Sequence, residues 1–225
     1  GDPPGNSIEL VNPAFENDLG GSWRASGGGN PAAPVQTLIA DRSAWKCFKG
    51  TAEASSPASS WRKPGFDDSG WLAGSMPIGY GENFLATTLS DMPGAYTSVF
   101  FRKTFSVADP AALGNLQLEA LYDDGFNVWI NGVLVSSQNM PGNEVAFNGT
   151  ANVARESLNF ESFSLPAPAA YLVAGENVIA IQGHNSSLSG SSDFFLDIRL
   201  QGTTGSAGRG PTPGARNSVF ADNIP

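Results

Sequence analysis

One histidine, one cysteine and a few carboxylates in pairs or loops are the side chains of this 225-residue chain that could do chemistry. His184 sits in Gln182-Gly183-His184-Asn185-Ser186-Ser187, with no second histidine to complete a relay or a metal pair. The nucleophile-elbow pattern Gly-x-Ser-x-Gly and the phosphate loop Gly-x-x-x-x-Gly-Lys are both absent. A lone histidine after a strand most often holds backbone through a hydrogen bond rather than acting as a base. The single Cys47 excludes an intrachain disulfide and a cysteine-based zinc site. Its setting, Trp45-Lys46-Cys47-Phe48, is that of a small buried apolar residue.

Paired carboxylates are the remaining catalytic option. Asp67-Asp68 and Asp123-Asp124 are adjacent pairs, and neighbouring side chains on a strand diverge to opposite faces. Neither pair alone makes the facing geometry of a glycosidase, although two carboxylates from different loops could still meet; no enzyme is expected, with a glycosidase or esterase the remaining alternative. Asp67-Asp68 reads as the cap of a turn before Trp71, and Asp123-Asp124-Gly125 as a strand-end turn or a loop-tip contact to ligand or calcium. Calcium takes six to eight oxygens, and no EF-hand loop is present. One structural calcium ion in an irregular site is the cofactor this composition allows. Glu53, Asp91, Asp193 and Asn185 are loop residues that could contribute to it, with Glu53 and Asp193 the chosen carboxylates.

The elements that must position these groups follow from composition and period. Twenty-seven Gly and 16 Pro are too many turn formers for a helical bundle, whereas 40 % hydrophobic residues are too many for disorder. Lys+Arg 12 against Asp+Glu 21 leaves a net charge of −9 without clustered cations, which disfavours nucleic acid and anionic membrane surfaces. No stretch approaches a membrane span, so membrane insertion is not expected. The opening Gly-Asp-Pro-Pro-Gly reads as part of a segment cut from a longer protein.

The apolar period is two. Val99, Phe101, Lys103 and Phe105 alternate with Phe100, Arg102 and Thr104. Leu116, Leu118, Ala120 and Tyr122 share one face; Phe194, Leu196, Ile198 and Leu200 point inward while Asp197 and Arg199 face outward. Asn131-Gly132 between apolar runs predicts a type I′ hairpin, and Asp109-Pro110 a capped helical turn. The fold expected is all-β, an antiparallel β-sandwich over 35–201, with flanks at 1–34 and 202–225.

Aromatics in turn-rich stretches are the best binding signal. Trp61, Trp71, Tyr80, Phe84 and Tyr96 lie in loop-like sequence beside Gly79, Gly81, Glu82 and Asn83. Sugars are recognised by flat aromatic faces against their C–H face, with carboxylates and amides on the hydroxyls. Trp61 and Trp71 are expected to plug the ends of the sandwich. The expected ligand site is one loop-lined end carrying Tyr80, Glu82, Asp123, Asp124, His184 and Asn185. There Tyr80 would stack, the acids and Asn185 would hold hydroxyls, and His184 would make one hydrogen bond.

Several of these residues form an ordered pattern. Trp61…Gly65-Phe66-Asp67-Asp68-Ser69-x-Trp71, then Gly79-Tyr80-Gly81, then Val99-Phe100-Phe101-Arg102-Lys103-Thr104-Phe105 resembles the galactose-binding-like jelly roll. Tyr122-Asp123-Asp124-Gly125-Phe126-Asn127-Val128-Trp129-Ile130-Asn131-Gly132 and Gly175-Glu176-Asn177-Val178-Ile179-Ala180 agree with it. The pattern is similar to the sugar-binding sandwich domain of family 2 glycoside hydrolases and to bacterial carbohydrate-binding modules. The flanking Ser7-Ile8-Glu9-Leu10-Val11-Asn12-Pro13, Gly21-Ser22-Trp23-Arg24-Ala25-Ser26 and Thr212-Pro213-Gly214-Ala215-Arg216-Asn217-Ser218 resemble a bacterial lamin-tail domain interrupted by the jelly roll.

Together these resemblances imply a secreted or cell-surface bacterial protein. The function expected is a non-catalytic carbohydrate-binding module that keeps a larger protein near a glycan. A structural or adhesive spacer without its own glycan is the alternative, because fold alone does not carry function. The expected partners are an oligo- or polysaccharide and neighbouring domains of the same parent chain.

Overall fold

The computed structural model describes residues 8–10, 23–25 and 34–204. Val35–Thr204 make up one compact unit, treated first. Its strands are β3 (Val35–Ile39), β4 (Ala44–Lys49), β5 (Leu72–Ser75), β6 (Ile78–Tyr80), β7 (Thr87–Thr88), β8 (Ser98–Val107), β9 (Leu113–Asp123), β10 (Gly125–Ile130), β11 (Val133–Gln138), β12 (Glu161–Ser164), β13 (Gly175–His184) and β14 (Phe194–Thr204). They form two sheets, ordered β11-β10-β13-β8-β4-β5 and β12-β9-β14-β6-β7, with β3 also paired to β14. Every pairing is antiparallel except the short parallel ladder of β6 with β7. This is the all-β sandwich that the two-residue period demands.

The main core lies between the sheets. Val99, Phe101 and Phe105 of β8 and Ile179 and Ile181 of β13 meet Leu116, Leu118, Ala120 and Tyr122 of β9 and Phe194, Leu196, Ile198 and Leu200 of β14. The hairpin β10–β11 turns at Asn131 (φ 51) and Gly132 (φ 86), the two positive values a type I′ turn requires. Asp109 caps the turn Pro110–Ala112 by accepting the Ala111 N–H at 2.9 Å. Gly202 and Thr203, expected in the C-terminal flank, instead continue β14 against β3 and β9.

The first sheet is covered on its outer face as well. Trp61, Phe100, Trp129 and Ala180 form a second buried cluster there, with Phe48, Phe66 and Trp71 packed against it. Trp61 and Trp71 therefore roof this sheet rather than plug the ends of the sandwich. That explains the Phe100-Phe101 run: the two rings face opposite cores. Arg102, also on the outer face, donates from Nε to Asp68 at 2.8 Å and from Nη1 to the carbonyls of Trp61 and Lys63, which holds the roof down.

Of the remaining chain, β1 (Ile8–Leu10) and β2 (Trp23–Ala25) are described as an antiparallel pair, Ile8 opposite Ala25 and Leu10 opposite Trp23. The rest of the residues that resemble a lamin-tail domain lie outside the described ones.

Candidate functional site

Two features stand out, and both depend on how loops join the second sheet. At the corner between β9 and β10, Asp123, Glu156 and Asp193 bring one carboxylate oxygen each within 4.8 Å of one another. Asp123 is 1 % exposed, and neither of its carboxylate oxygens receives a hydrogen bond from the described residues. Burial, followed by the charges of Asp124, Asp193 and Glu156, pushes its pKa up to about 9. Glu156 is exposed, and its pKa is raised chiefly by the charge of Asp193. Three converging carboxylates, one of them buried without a partner, make an all-oxygen donor set that can hold a metal ion.

Asp124 works differently from its neighbour. Its Oδ1 accepts the Arg155 N–H and its Oδ2 the Ser186 N–H, each at 2.6 Å. It staples the segment bearing Glu156 to the loop that leads toward Asp193. Asn139 Nδ2 adds bonds to the Asp124 and Val153 carbonyls. The strand-end turn read from Asp123-Asp124-Gly125 is thus a corner with one carboxylate bonded to backbone and one left bare.

Tyr80 lies in this corner but is only 5 % exposed. Its hydroxyl accepts from Asn185 Nδ2 at 2.9 Å and donates to the Ser191 carbonyl at 3.3 Å. The exposed stacking ring expected at this position is instead a buried brace, because Gly79 allows β6 to close on β14. A Cβ at Gly79 would stand 1.8 Å from the Phe194 carbonyl oxygen. Asn185 is likewise buried and also bonds the Asp193 carbonyl at 3.3 Å.

His184 faces away from the corner's carboxylates, onto the outer side of the first sheet. The loop 142–149 crosses there, and a row of polar side chains holds it. Asn127 donates to the Gly142 carbonyl, Gln182 to Val145, Ser98 to Phe147 and Thr97 to Gly149. His184 joins the row through Nδ1, 3.0 Å from the Gly149 carbonyl, which requires the proton on Nδ1. Burial pushes its pKa down to about 4.

Of the six residues expected to bind ligand, Glu82 alone keeps appreciable exposure; the other five are buried. Of the two expected metal ligands, Asp193 belongs to the carboxylate group. Glu53 is exposed elsewhere, where it accepts the Phe147 N–H at 3.1 Å.

The second feature is on the outer face of the second sheet. A recess of about 300 Å³ is lined by Phe84, Phe160, Leu121 and Leu158 together with Asp41, Arg42, Asp197 and Arg199. Leu121 and Asp197 are register partners on β9 and β14, on the side opposite the main core. Arg199 lies over the Phe160 ring at 3.8 Å and pairs with Asp41 (3.3 Å) and Glu119 (3.6 Å). Phe84 stands edge-on to Phe195 at 5.3 Å. A further hollow of about 380 Å³ shares Asp41 and Arg199 and runs on to Thr37 and Gln201. The two make an open groove along β14.

Nothing in the residue order marks this groove. Phe84 is legible as a loop aromatic and Arg199 as an outward residue, but Phe160 and Glu156 carry no local signal that marks them.

No family model matches this chain, and no curated protein does. Solved structures do. A beta-glucuronidase from an uncultured Clostridium sp. is similar over 79 % of this chain, with a TM-score of 0.51 at 14 % identity. Those of Ruminococcus gnavus (TM-score 0.49, 11 % identity, 77 % of this chain) and Bacteroides uniformis (0.48, 16 %, 75 %) are also similar. The chain spans 30 % of the Clostridium and Ruminococcus enzymes and 18 % of the Bacteroides one. At these identities the likeness is one of fold alone.

Proposed function

We propose that residues 35–204 form a non-catalytic carbohydrate-binding module of a larger secreted bacterial protein, taking an oligo- or polysaccharide along the outer groove of the second sheet. The groove itself supports this reading. Aromatic rings of Phe84 and Phe160 stand beside fixed charged groups in an open channel, the pairing that a sugar's C–H face and hydroxyls require. The Arg42 guanidinium has no carboxylate partner among the described residues and is free to meet hydroxyl or carboxylate oxygens. Tyr80, Asp123, Asp124, His184 and Asn185 then serve as the scaffold of the loops, with Glu82 two residues from Phe84. A single calcium ion at Asp123, Glu156 and Asp193 is the cofactor of this reading.

Binding would be weak to moderate, since an open polar groove leaves water competing for every hydrogen bond. Affinity electrophoresis and a glycan array decide the matter. At least one glycan should bind, and Phe160→Ala should weaken it on the order of tenfold without unfolding the domain. Failure to bind any glycan in a broad panel overturns the proposal in favour of a structural spacer.

A further inference from the structure

The carboxylate group and the groove share their loops. Glu156 stands two residues before Leu158 and four before Phe160, both in the groove wall. Asp193 stands two residues before Phe195, the ring against which Phe84 packs. Glu82, two residues before Phe84, is close enough for its charge to act on Glu156. Each aromatic of the groove is therefore tied by a few residues of chain to an oxygen of the acidic corner or to its immediate neighbour.

The corner needs something that the described residues do not supply. Asp123 is almost wholly buried, with one oxygen in the group and neither oxygen hydrogen-bonded, while every other buried carboxylate oxygen among the described residues has a partner. A cluster of acids on a surface needs no counter-ion, but a buried carboxylate without donors does. The donor set contains no nitrogen or sulfur, which points away from zinc and toward a hard cation that accepts irregular oxygen shells.

Resting on the carbohydrate reading of the groove, we infer that calcium binding at Asp123, Glu156 and Asp193 switches the groove into its binding form. The ion draws exposed Glu156 onto buried Asp123, and the four-residue span to Phe160 carries that wall with it. Asp124 holds the segment's other end through the Arg155 N–H. Without the ion nothing ties exposed Glu156 to the corner, the charge of Asp193 repels it, and the wall loses its footing. The fixed side of the groove, Asp197 and Arg199 on β14, is unaffected.

The test uses the full chain, stripped with a chelator and then titrated with calcium chloride. Calorimetry should give one site, absent in Asp123→Asn and weakened in Glu156→Gln; magnesium is the control cation. Hydrogen exchange should slow over 81–86 and 154–160 on adding calcium and stay unchanged over 142–149. The best glycan from the panel should bind on the order of tenfold more tightly with calcium than without. No calcium binding overturns the inference. So does a calcium site with equal glycan affinity and equal exchange in both states, which would leave the carbohydrate reading intact. If no glycan binds at all, the carbohydrate reading fails, and exchange over 154–160 alone decides whether the ion orders the wall.

Discussion

Replacing His184 with asparagine should remove one defined part of the pH dependence of stability. The imidazole is wholly buried beneath loop 142–149, its Nδ1–H donates to the Gly149 carbonyl, and its Nε2 has no partner among the described residues. Burial drives the pKa down to about 4, opposed only by the Gly149 carbonyl; no charged group takes part. Because the folded value lies below the unfolded one of about 6.5, the unfolded chain holds the extra proton between those pH values. The stability that goes with the neutral ring is complete above pH 6.5 and is lost as pH falls toward 4. At about 1.4 kcal/mol per unit, the loss by pH 4 is about 3 kcal/mol. For a domain of this size that is roughly 6–12 °C in melting temperature.

Buried Asp123 and Asp197, with pKa values raised by burial, work in the opposite direction and gain stability as pH falls. The measurement is therefore a difference. Melting curves of the parent chain and His184→Asn are recorded from pH 8 to 4 in chelator, where the shared carboxylates cancel. Asparagine keeps an N–H for Gly149 but cannot take up a proton. It should be the less stable protein at pH 8, for want of the ring's packing, and should close the gap by about 3 kcal/mol by pH 4. Parallel curves would mean that His184 titrates alike in the folded and unfolded chain, as an exposed ring does, and would overturn its burial under the loop.

Two further substitutions test the frame around the groove. Gly79→Ala puts a methyl group against the Phe194 carbonyl, where backbone must move; it should cost about 3 kcal/mol in urea unfolding, and a loss under 1 kcal/mol would show that β6 is not held on β14 as described. Arg102→Met leaves Asp68 and the carbonyls of Trp61 and Lys63 without their donor. It should cost about 3–5 kcal/mol by the same assay and expose the Trp61 cluster to fluorescence quenchers, whereas an unchanged midpoint would mean that the roof is held by its aromatics alone.

Much of the frame was legible from residue order. The alternation in Leu116–Tyr122 and Phe194–Leu200, the Asn131-Gly132 turn and the Asp109 cap are local signals, and each appears in the fold as read. The site was legible only in part. Asp193 and Asp123 are marked by their loop positions and Glu156 is not; Tyr80 lacks the exposure expected of it, and His184 makes the backbone hydrogen bond expected of a lone histidine rather than the ligand contact.

The division has a physical cause. Strand, turn and inward face are set by φ/ψ preference and by side chains two residues apart, so the chain by itself determined an all-β sandwich and which residues line its core. Period two tells a residue's parity, not what covers the other side. Loop 142–149 buries His184 and segment 61–71 buries Phe100, while the outer face of β9 and β14 stays open as a groove. Carboxylates from residues 123, 156 and 193 meet only because β9 and β14 are neighbours and Asp124 pins the loops between them. Coverage and convergence are long-range facts, and the tertiary structure alone decided them.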